Sequence, residues 1–419
     1  MRTLAEWLEL HESVHAKSID LGLGRVGRVA AQLALIPVPY RVITVGGTNG
    51  KGSTVAHLAA LLKSLGVRAG AFTSPHLLSY NERIRIDGYA VPDAELIQAF
   101  ERIEAARGDT TLTFFEYNTL AALIIFAARR VDVAVLEVGL GGRLDATNLV
   151  AADVAVLCSV GFDHRDWLGD DLESIGREKA GIFRRGRPAV LGSAQMPASV
   201  FAALALTGAR ALIAERDFSW RVDAHGWNYQ GLRNRYDALP PSALPGSIQY
   251  RNAATAIAAL EALELPQQLT QDALAAALRA VRLDGRLQIV PGDVDWILDV
   301  AHNEPAAAVL ARHLAERPCQ GRTLAVTGIL RDKDVAAIGH ALRRQIDYWI
   351  LCSLPGVRGS SAAELAQRLA PHINQHYELA DSIASGCERA RAQARPADRV
   401  LVFGSFPAVG SALQWLQLY

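Results

Sequence analysis

Short apolar runs rich in β-branched residues recur along the chain, separated by longer stretches with a helical period. In the first half these are RVITVGG (41–47), RAGAFTSP (68–75), VAVLEVGL (133–140) and VAVLCSVG (154–161), each reading as a buried strand. STVAHLAALLKSLG (53–66) and EYNTLAALIIFAARR (116–130) read as helices between them. Strands apolar on both faces that alternate with helices predict a mostly parallel sheet covered by helices. Such sheets bind ligands at the carboxyl ends of their strands, and the polar motifs of the first half fall there. From about 206 to 250 shorter polar and aromatic pieces with DALPPSALPG predict β-hairpins and turns rather than another βα unit. RNAATAIAALEAL (251–263) restores the helical period. A second α/β series follows LDGRLQIVPGD, with WILDVA (296–301), TLAVTGI (323–329), YWILCS (348–353) and RVLVFG (399–404) as its strands. The expected fold is α/β in two parts, with the boundary near 285. A P-loop-type, mostly parallel sheet domain spans 1–284, and a smaller Rossmann-like domain spans 285–419.

Composition narrows the function without choosing it. The 419 residues carry 43 Lys plus Arg against 43 Asp plus Glu, so the basic excess of a nucleic-acid or anionic-membrane binder is missing. No apolar run approaches the roughly 18 residues of a membrane span. The opening MRTLAEWLELHE carries acids in its first apolar stretch and does not read as a secretory signal. Cys158, Cys319, Cys352 and Cys387 form no CxxC pair, and buried free thiols in a cytoplasmic protein are expected.

The strongest local signal is VGGTNGKGSTVAHL (45–58), a strand that ends in glycines and a lysine and then opens a helix. Gly46, Gly47, Gly50 and Gly52 allow backbone amides to turn inward, the helix start adds positive potential, and Lys51 supplies a point charge. Thr48, Asn49, Gly50, Lys51, Gly52 and Ser53 are therefore candidates for holding the polyphosphate of ATP. The spacing departs from GxxxxGK[ST]: Val45 stands where the first glycine belongs, and Gly52 separates Lys51 from Ser53. A glycine-rich turn that only packs a helix is the alternative, and the lysine argues against it.

Ser74, Glu137 and His164 each follow a predicted strand, so an oxygen, a carboxylate and an imidazole can meet on the rim that carries the phosphate loop. With phosphate oxygens and water they would make a Mg2+ shell. Taken singly, Glu137 is equally a loop carboxylate and His164 a structural histidine. Lys179, in LESIGREKAGIF, reads by itself as a surface ion pair with Glu178 or Glu173. TFFEYN (113–118) and LDATN (144–148) add aromatic surface and a carboxylate near the same rim, with Phe115 offering a stacking face and Asp145 a hydrogen-bonding carboxylate. Phe114 reads as core.

GTNGKGS, TSPHLLSYNERIRIDG (73–88), EVGLGGRLDATN (137–148), Asp163-His164, EKAGIF (178–183), LDGR (283–286) and DVAHN (299–303) follow one another in the order seen in folylpolyglutamate synthases. Over nearly its whole length the chain resembles that family of the Mur ligase superfamily. The resemblance implies an ATP-dependent ligase that adds L-glutamate to a folate through an acyl phosphate, with two Mg2+ and the second domain closing over the ATP and glutamate site. Catalytic roles would fall to Lys51, Glu137, His164 and Lys179. Ser74, Glu137, His164 and Lys179, the last as a carbamate formed with CO2, would hold the metal. Asn252, Arg286 and Asp299 would join the ATP site. KSIDLGLGRV (17–26) looks similar to the dihydropteroate loop of bifunctional members. The pterin or folate candidates are Asp20, Leu21, Gly22, Thr113, Phe114, Phe115, Glu116, Leu144, Asp145 and Ala146, and His302 and Asn303 are glutamate candidates. The expected partners are dihydropteroate, reduced folates, L-glutamate and ATP, on a monomer.

Two other readings compete. A peptidoglycan-type amide ligase acting on a UDP-sugar peptide would need a uridine-binding domain ahead of the loop, where only about 40 residues stand. A P-loop regulator without synthetic activity leaves Glu137, His164, Lys179 and the second α/β series without a task. A monofunctional folylpolyglutamate synthase stays open.

Overall fold

The computed structural model describes residues 2–17, 19–373 and 376–418. Ser18, in the 17–26 segment, lies outside them. The chain forms two compact units. One comprises 1–161, 165–243 and 249–281, and the other 162–164, 244–248 and 282–419. The division is not a single cut, because two short segments ahead of residue 282 belong with the second unit.

In the first unit the strands are β1 (Arg41–Gly46), β2 (Ala69–Phe72), β3 (Ile84–Ile86), β4 (Tyr89–Ala90), β5 (Val133–Glu137), β6 (Val154–Leu157), β7 (Pro188–Leu191) and β8 (Arg210–Ile213). They form one sheet in the order β4-β3-β2-β5-β1-β6-β7-β8. The β2–β3 and β3–β4 pairs are antiparallel, and every other pair is parallel. The period of two explains the continuous apolar runs. Ile43, Val45, Val133 and Val135 point into one core with Leu58 and Leu62, whereas Val42, Ala134 and Leu136 point into another with Phe100, Leu120 and Phe126. Each such side chain contributes about 1.5–3 kcal/mol on burial. The helix Phe114–Ala128 starts at a capping box, in which Thr113 and Glu116 satisfy each other's backbone amides, and is buried from Glu116 to Phe126.

The segment 206–250 departs from the expectation at its start. β8 is a parallel edge strand on β7, made by four residues too few to show a period. The hairpins then follow as a three-stranded antiparallel sheet, β9 (Ser219–Asp223), β10 (Gly226–Gln230) and β11 (Arg235–Leu239). Its Trp227, Tyr229 and Tyr236 share a core with Ile257 and Leu260 of the helix Ile248–Leu263.

The second unit carries β12 (Gln288–Val290), β13 (Asp295–Asp299), β14 (Thr323–Thr327), β15 (Tyr348–Cys352), β16 (Tyr377–Ala380) and β17 (Arg399–Phe403), in the order β12-β13-β17-β14-β15-β16. Only β12 runs antiparallel to its neighbour. Ile297, Ala325, Trp349, Leu351, Leu401 and Phe403 face Leu310 and Leu365 of the covering helices. All four cysteines are free, and Cys158, Cys352 and Cys387 are buried. Among the described residues no helix is long and apolar enough to cross a membrane.

Candidate active site

The phosphate loop leaves β1 and enters the helix Lys51–Ser64 through Gly50, whose φ of 90° lies where side chains are disfavoured. A Cβ there would stand 2.9 Å from Asn252 Oδ1, so the loop and the helix Ile248–Leu263 require glycine at this contact. The exit of β6 braces the loop from below. Thr48 N donates to Ser159 O (2.8 Å), and its hydroxyl donates to Gly161 O (3.0 Å). Asn49 N donates to Ser159 Oγ (3.0 Å). Lys51 Nζ folds back to the carbonyls of Gly47 (2.9 Å) and Thr48 (3.2 Å).

Lys179 is buried, and its ammonium donates to the same Gly47 carbonyl at 3.2 Å. A surface ion pair is therefore not its setting. Glu178 instead pairs with Arg143, and Glu173 accepts the amides of Ala198 and Ser199. The cause is helical phase: in Leu172–Ala180 the buried positions are Ile175, Gly176, Lys179 and Ala180, one face of the helix.

Glu137 closes β5, buried, and accepts Ser74 N at 3.2 Å. The segment carrying Ser74 is shaped by a residue without an expected role. Glu82 accepts the amides of Leu77, Leu78 and Ser79 at 2.7–2.9 Å. Arg83 Nε donates to His76 Nδ1 (2.8 Å), and burial pushes the His76 imidazole down to about 4. Ser74, Glu137, Lys51 and Lys179 thus gather around the ends of β1, β2 and β5. His164 follows the end of β6. It is counted with the second unit, at a φ of 53°.

Among the described residues no three His, Cys, Asp or Glu side chains cluster tightly enough to form a complete metal cage. The hard oxygen donors of Ser74 and Glu137 beside a phosphate loop suit Mg2+, which keeps waters and takes phosphate oxygens rather than an all-protein shell.

The pterin candidates form a second group. Gly22 N donates to Leu144 O (3.2 Å), joining the early loop to the 144–146 segment. Arg25, which the sequence reading left without a role, donates to Asp20 Oδ2 (2.7 Å) and lies 3.3 Å from Glu116 Oε1. Phe115 is half-buried, 5.6 Å from the Phe72 ring, and Phe114 is half-buried under the Arg83 guanidinium. Asp145 is also tied into its own loop. Its carboxylate accepts Leu140 N, Thr147 N and the Thr147 hydroxyl, so it organises its own loop, and burial pushes its pKa up.

In the second unit Asp299 closes β13 and accepts Leu287 N and Ala301 N, both at 2.8 Å. Burial raises its pKa against the opposing charge of Arg286, whose guanidinium lies 5.0 Å over the Phe406 ring. His302 Nδ1 donates to Val300 O (2.8 Å). Asn303 caps the helix Glu304–Glu316 and donates from Nδ2 to Asp163 Oδ2 (2.9 Å). Asp163 also takes Lys333 Nζ at 2.6 Å and faces His302 Nε2 at 3.6 Å. Hydrogen bonds from its neighbours and their positive charges outweigh burial and hold this carboxyl far below the usual range. Lys333 was missed. A lysine just past the carboxyl end of a strand, in GILRDKD after β14, was the available signal.

Residues 45–211 match the Mur ligase middle domain, and 285–406 match the Mur ligase glutamate ligase domain. The chain is 44% identical over 416 residues to the dihydrofolate synthase/folylpolyglutamate synthase of Escherichia coli K12, covering 98% of this chain and 95% of that protein. It belongs to this family of Mur ligases. Family members are ATP-dependent amide ligases. The fold is similar to that of E. coli FolC in complex with DHPP and ADP, with a TM-score of 0.94, 42% identity, and coverage of 100% of this chain and 98% of that one. A bifunctional folylpolyglutamate synthase/dihydrofolate synthase with Mn, AMPPNP and L-glutamate bound gives a TM-score of 0.91 at 43% identity, covering 100% and 98%.

Proposed function

We propose that this chain joins L-glutamate to dihydropteroate, giving dihydrofolate, and to reduced folates, giving folylpolyglutamates, with ATP converted to ADP and phosphate. The observation that carries this reading is the likeness to the E. coli bifunctional protein across 98% of the chain.

A carboxylate oxygen of the pteroate or folate attacks the γ-phosphorus, the bond to the bridging oxygen breaks, and ADP leaves. Lys51, released from the Gly47 and Thr48 carbonyls, meets the charge that spreads over the transferred group. The 48–53 loop, braced at Thr48 and Asn49 by Ser159 and Gly161, presents the amides of 50–53 to the phosphates. Glutamate nitrogen then attacks the acyl carbon and loses a proton; the tetrahedral intermediate expels phosphate and leaves an amide. Two Mg2+ supply neutralisation of the phosphate charge when bound, with Ser74, Glu137, His164 and a carbamate on Lys179 as their protein ligands. Arg286 and Asp299, with Asn252, are assigned to the nucleotide, and His302 and Asn303 to glutamate. The 20–22, 113–116 and 144–146 segments are assigned to the pterin or folate. Residues 1–284 make the ATP and pterin domain and 285–419 the glutamate ligase domain of a monomer in the cytoplasm.

The test is the product mass after incubation with ATP, Mg2+, L-glutamate and a panel of dihydropteroate, reduced folates and UDP-sugar peptides. Gain of one glutamyl residue on dihydropteroate and on a reduced folate is expected. Gain on the UDP-sugar peptide alone, or ATP hydrolysis without any amide, overturns the proposal.

A further inference from the structure

Arg251 stands one residue before Asn252 in the helix whose start abuts the phosphate loop, yet neither the family motifs nor the mechanism uses it. Its Nε is sealed from solvent with no hydrogen-bond partner, and among the described residues no carboxylate forms an ion pair with it. A sealed guanidinium nitrogen without an acceptor is costly, and the rest of this half-buried, planar group is suited to a ligand that offers a flat face.

Its position says which part of a ligand it meets. The charged and titratable groups that reach it are Cys158, just past β6, and Glu215, just past β8. Thr255, one turn on, donates to the Arg251 carbonyl at 2.8 Å and lies where a Cβ on Gly192, just past β7, would come within 3.2 Å. Arg251 therefore lies over the carboxyl ends of β6–β8. That is one to three strands to the side of the β1 loop, or roughly 5–15 Å at the usual strand spacing. Phosphates anchored on the loop leave the rest of a nucleotide to run sideways over neighbouring strand ends.

We propose that Arg251 is a nucleobase-contacting residue, its guanidinium packed flat on the purine face. This rests on reading the loop as the nucleotide site. The side chain acts on nucleotide affinity and base preference, and takes no part in phosphoryl transfer.

The experiment compares ADP and inorganic tripolyphosphate by calorimetry on the full chain as wild type, Arg251→Met and Arg251→Lys, with melting curves to confirm folding. Arg251→Met should weaken ADP about tenfold and leave tripolyphosphate within about twofold, the loss expected of one stacked cation–π contact. Arg251→Lys keeps the charge and loses the plane, and should show the same ADP-selective loss to a smaller degree. In turnover, KM for ATP should rise with kcat within about twofold. Equal weakening of both ligands, or unchanged ADP affinity, overturns the inference. Wild-type ADP binding without amide formation would sink the ligase proposal and leave this test standing.

Discussion

Gly50→Ala is the sharpest probe of the loop, because the penalty can be worked out from two contacts. At φ 90° an alanine pays a left-handed backbone cost of about 1–2 kcal/mol. Its Cβ would stand 2.9 Å from Asn252 Oδ1, and Asn252 is held by the 3.0 Å bond from its Nδ2 to Gln249 Oε1. Moving Asn252 off its rotamer adds about 1 kcal/mol. If the sum of about 2–3 kcal/mol falls on the loop conformation that binds phosphate, ADP affinity drops roughly 30- to 150-fold. Gly66→Ala is the control. Gly66 has a φ of 69° with no atom within 4 Å of its added Cβ, so it carries backbone strain without the Asn252 clash. Titration calorimetry with ADP, alongside urea unfolding, separates the two. Gly66→Ala should lose about 1 kcal/mol of stability and bind ADP normally. Wild-type ADP affinity in a folded Gly50→Ala would refute the coupling of loop conformation to nucleotide binding.

Lys51→Ala should cut both glutamylation activities by more than about a hundredfold while leaving the melting temperature close to wild type, since Lys51 is only half-buried; a folded, active variant removes the phosphate-loop assignment. Asp163→Ala leaves the buried Lys333 ammonium only the more distant Asp332 at 3.8 Å and should cost about 3 kcal/mol in urea unfolding, whereas Asp163→Ala combined with Lys333→Met should recover most of it without restoring turnover. Additive losses in that double variant would show that the pair is not coupled. Burial holds His11 and His57 at about 4, below their ordinary 6.5. The unfolded chain therefore binds more protons between those values, so stability falls as pH drops from 7 toward 4. Each histidine removes up to about 2 kcal/mol at pH 5. His57→Gln should flatten that slope; an unchanged slope contradicts the assignment.

Much of the first unit could be read directly. β1, β2, β5 and β6 are apolar on both faces and end in glycine or polar motifs, which marks a covered parallel sheet with ligands at its carboxyl edge. The β3–β4 hairpin and β12 were passed over because two or three residues are too few to show a period, and β7, β8 and β16 were passed over with them. Lys179 shows the same limit at the site. Its neighbours Glu178 and Glu173 suggest a surface pair, and only the phase of Leu172–Ala180 against β7 and the loop turns its ammonium toward Gly47.

Local pattern alone therefore determined the α/β class, the strand that feeds the glycine-rich loop, and Lys51 as the candidate cation there, because these depend on residues close together in the chain. The order of the motifs along the chain carried the family. Tertiary structure decided which distant groups share an atom. It brought Lys179 and Lys51 onto one carbonyl across 132 and 4 residues, and Lys333 onto Asp163 across 170. It also tied Asp145 into its own loop and left Arg251 Nε buried without a partner. The reason is that a hydrogen-bonding group declares its type in the sequence, whereas burial and the identity of its partner exist only after the chain has closed on itself.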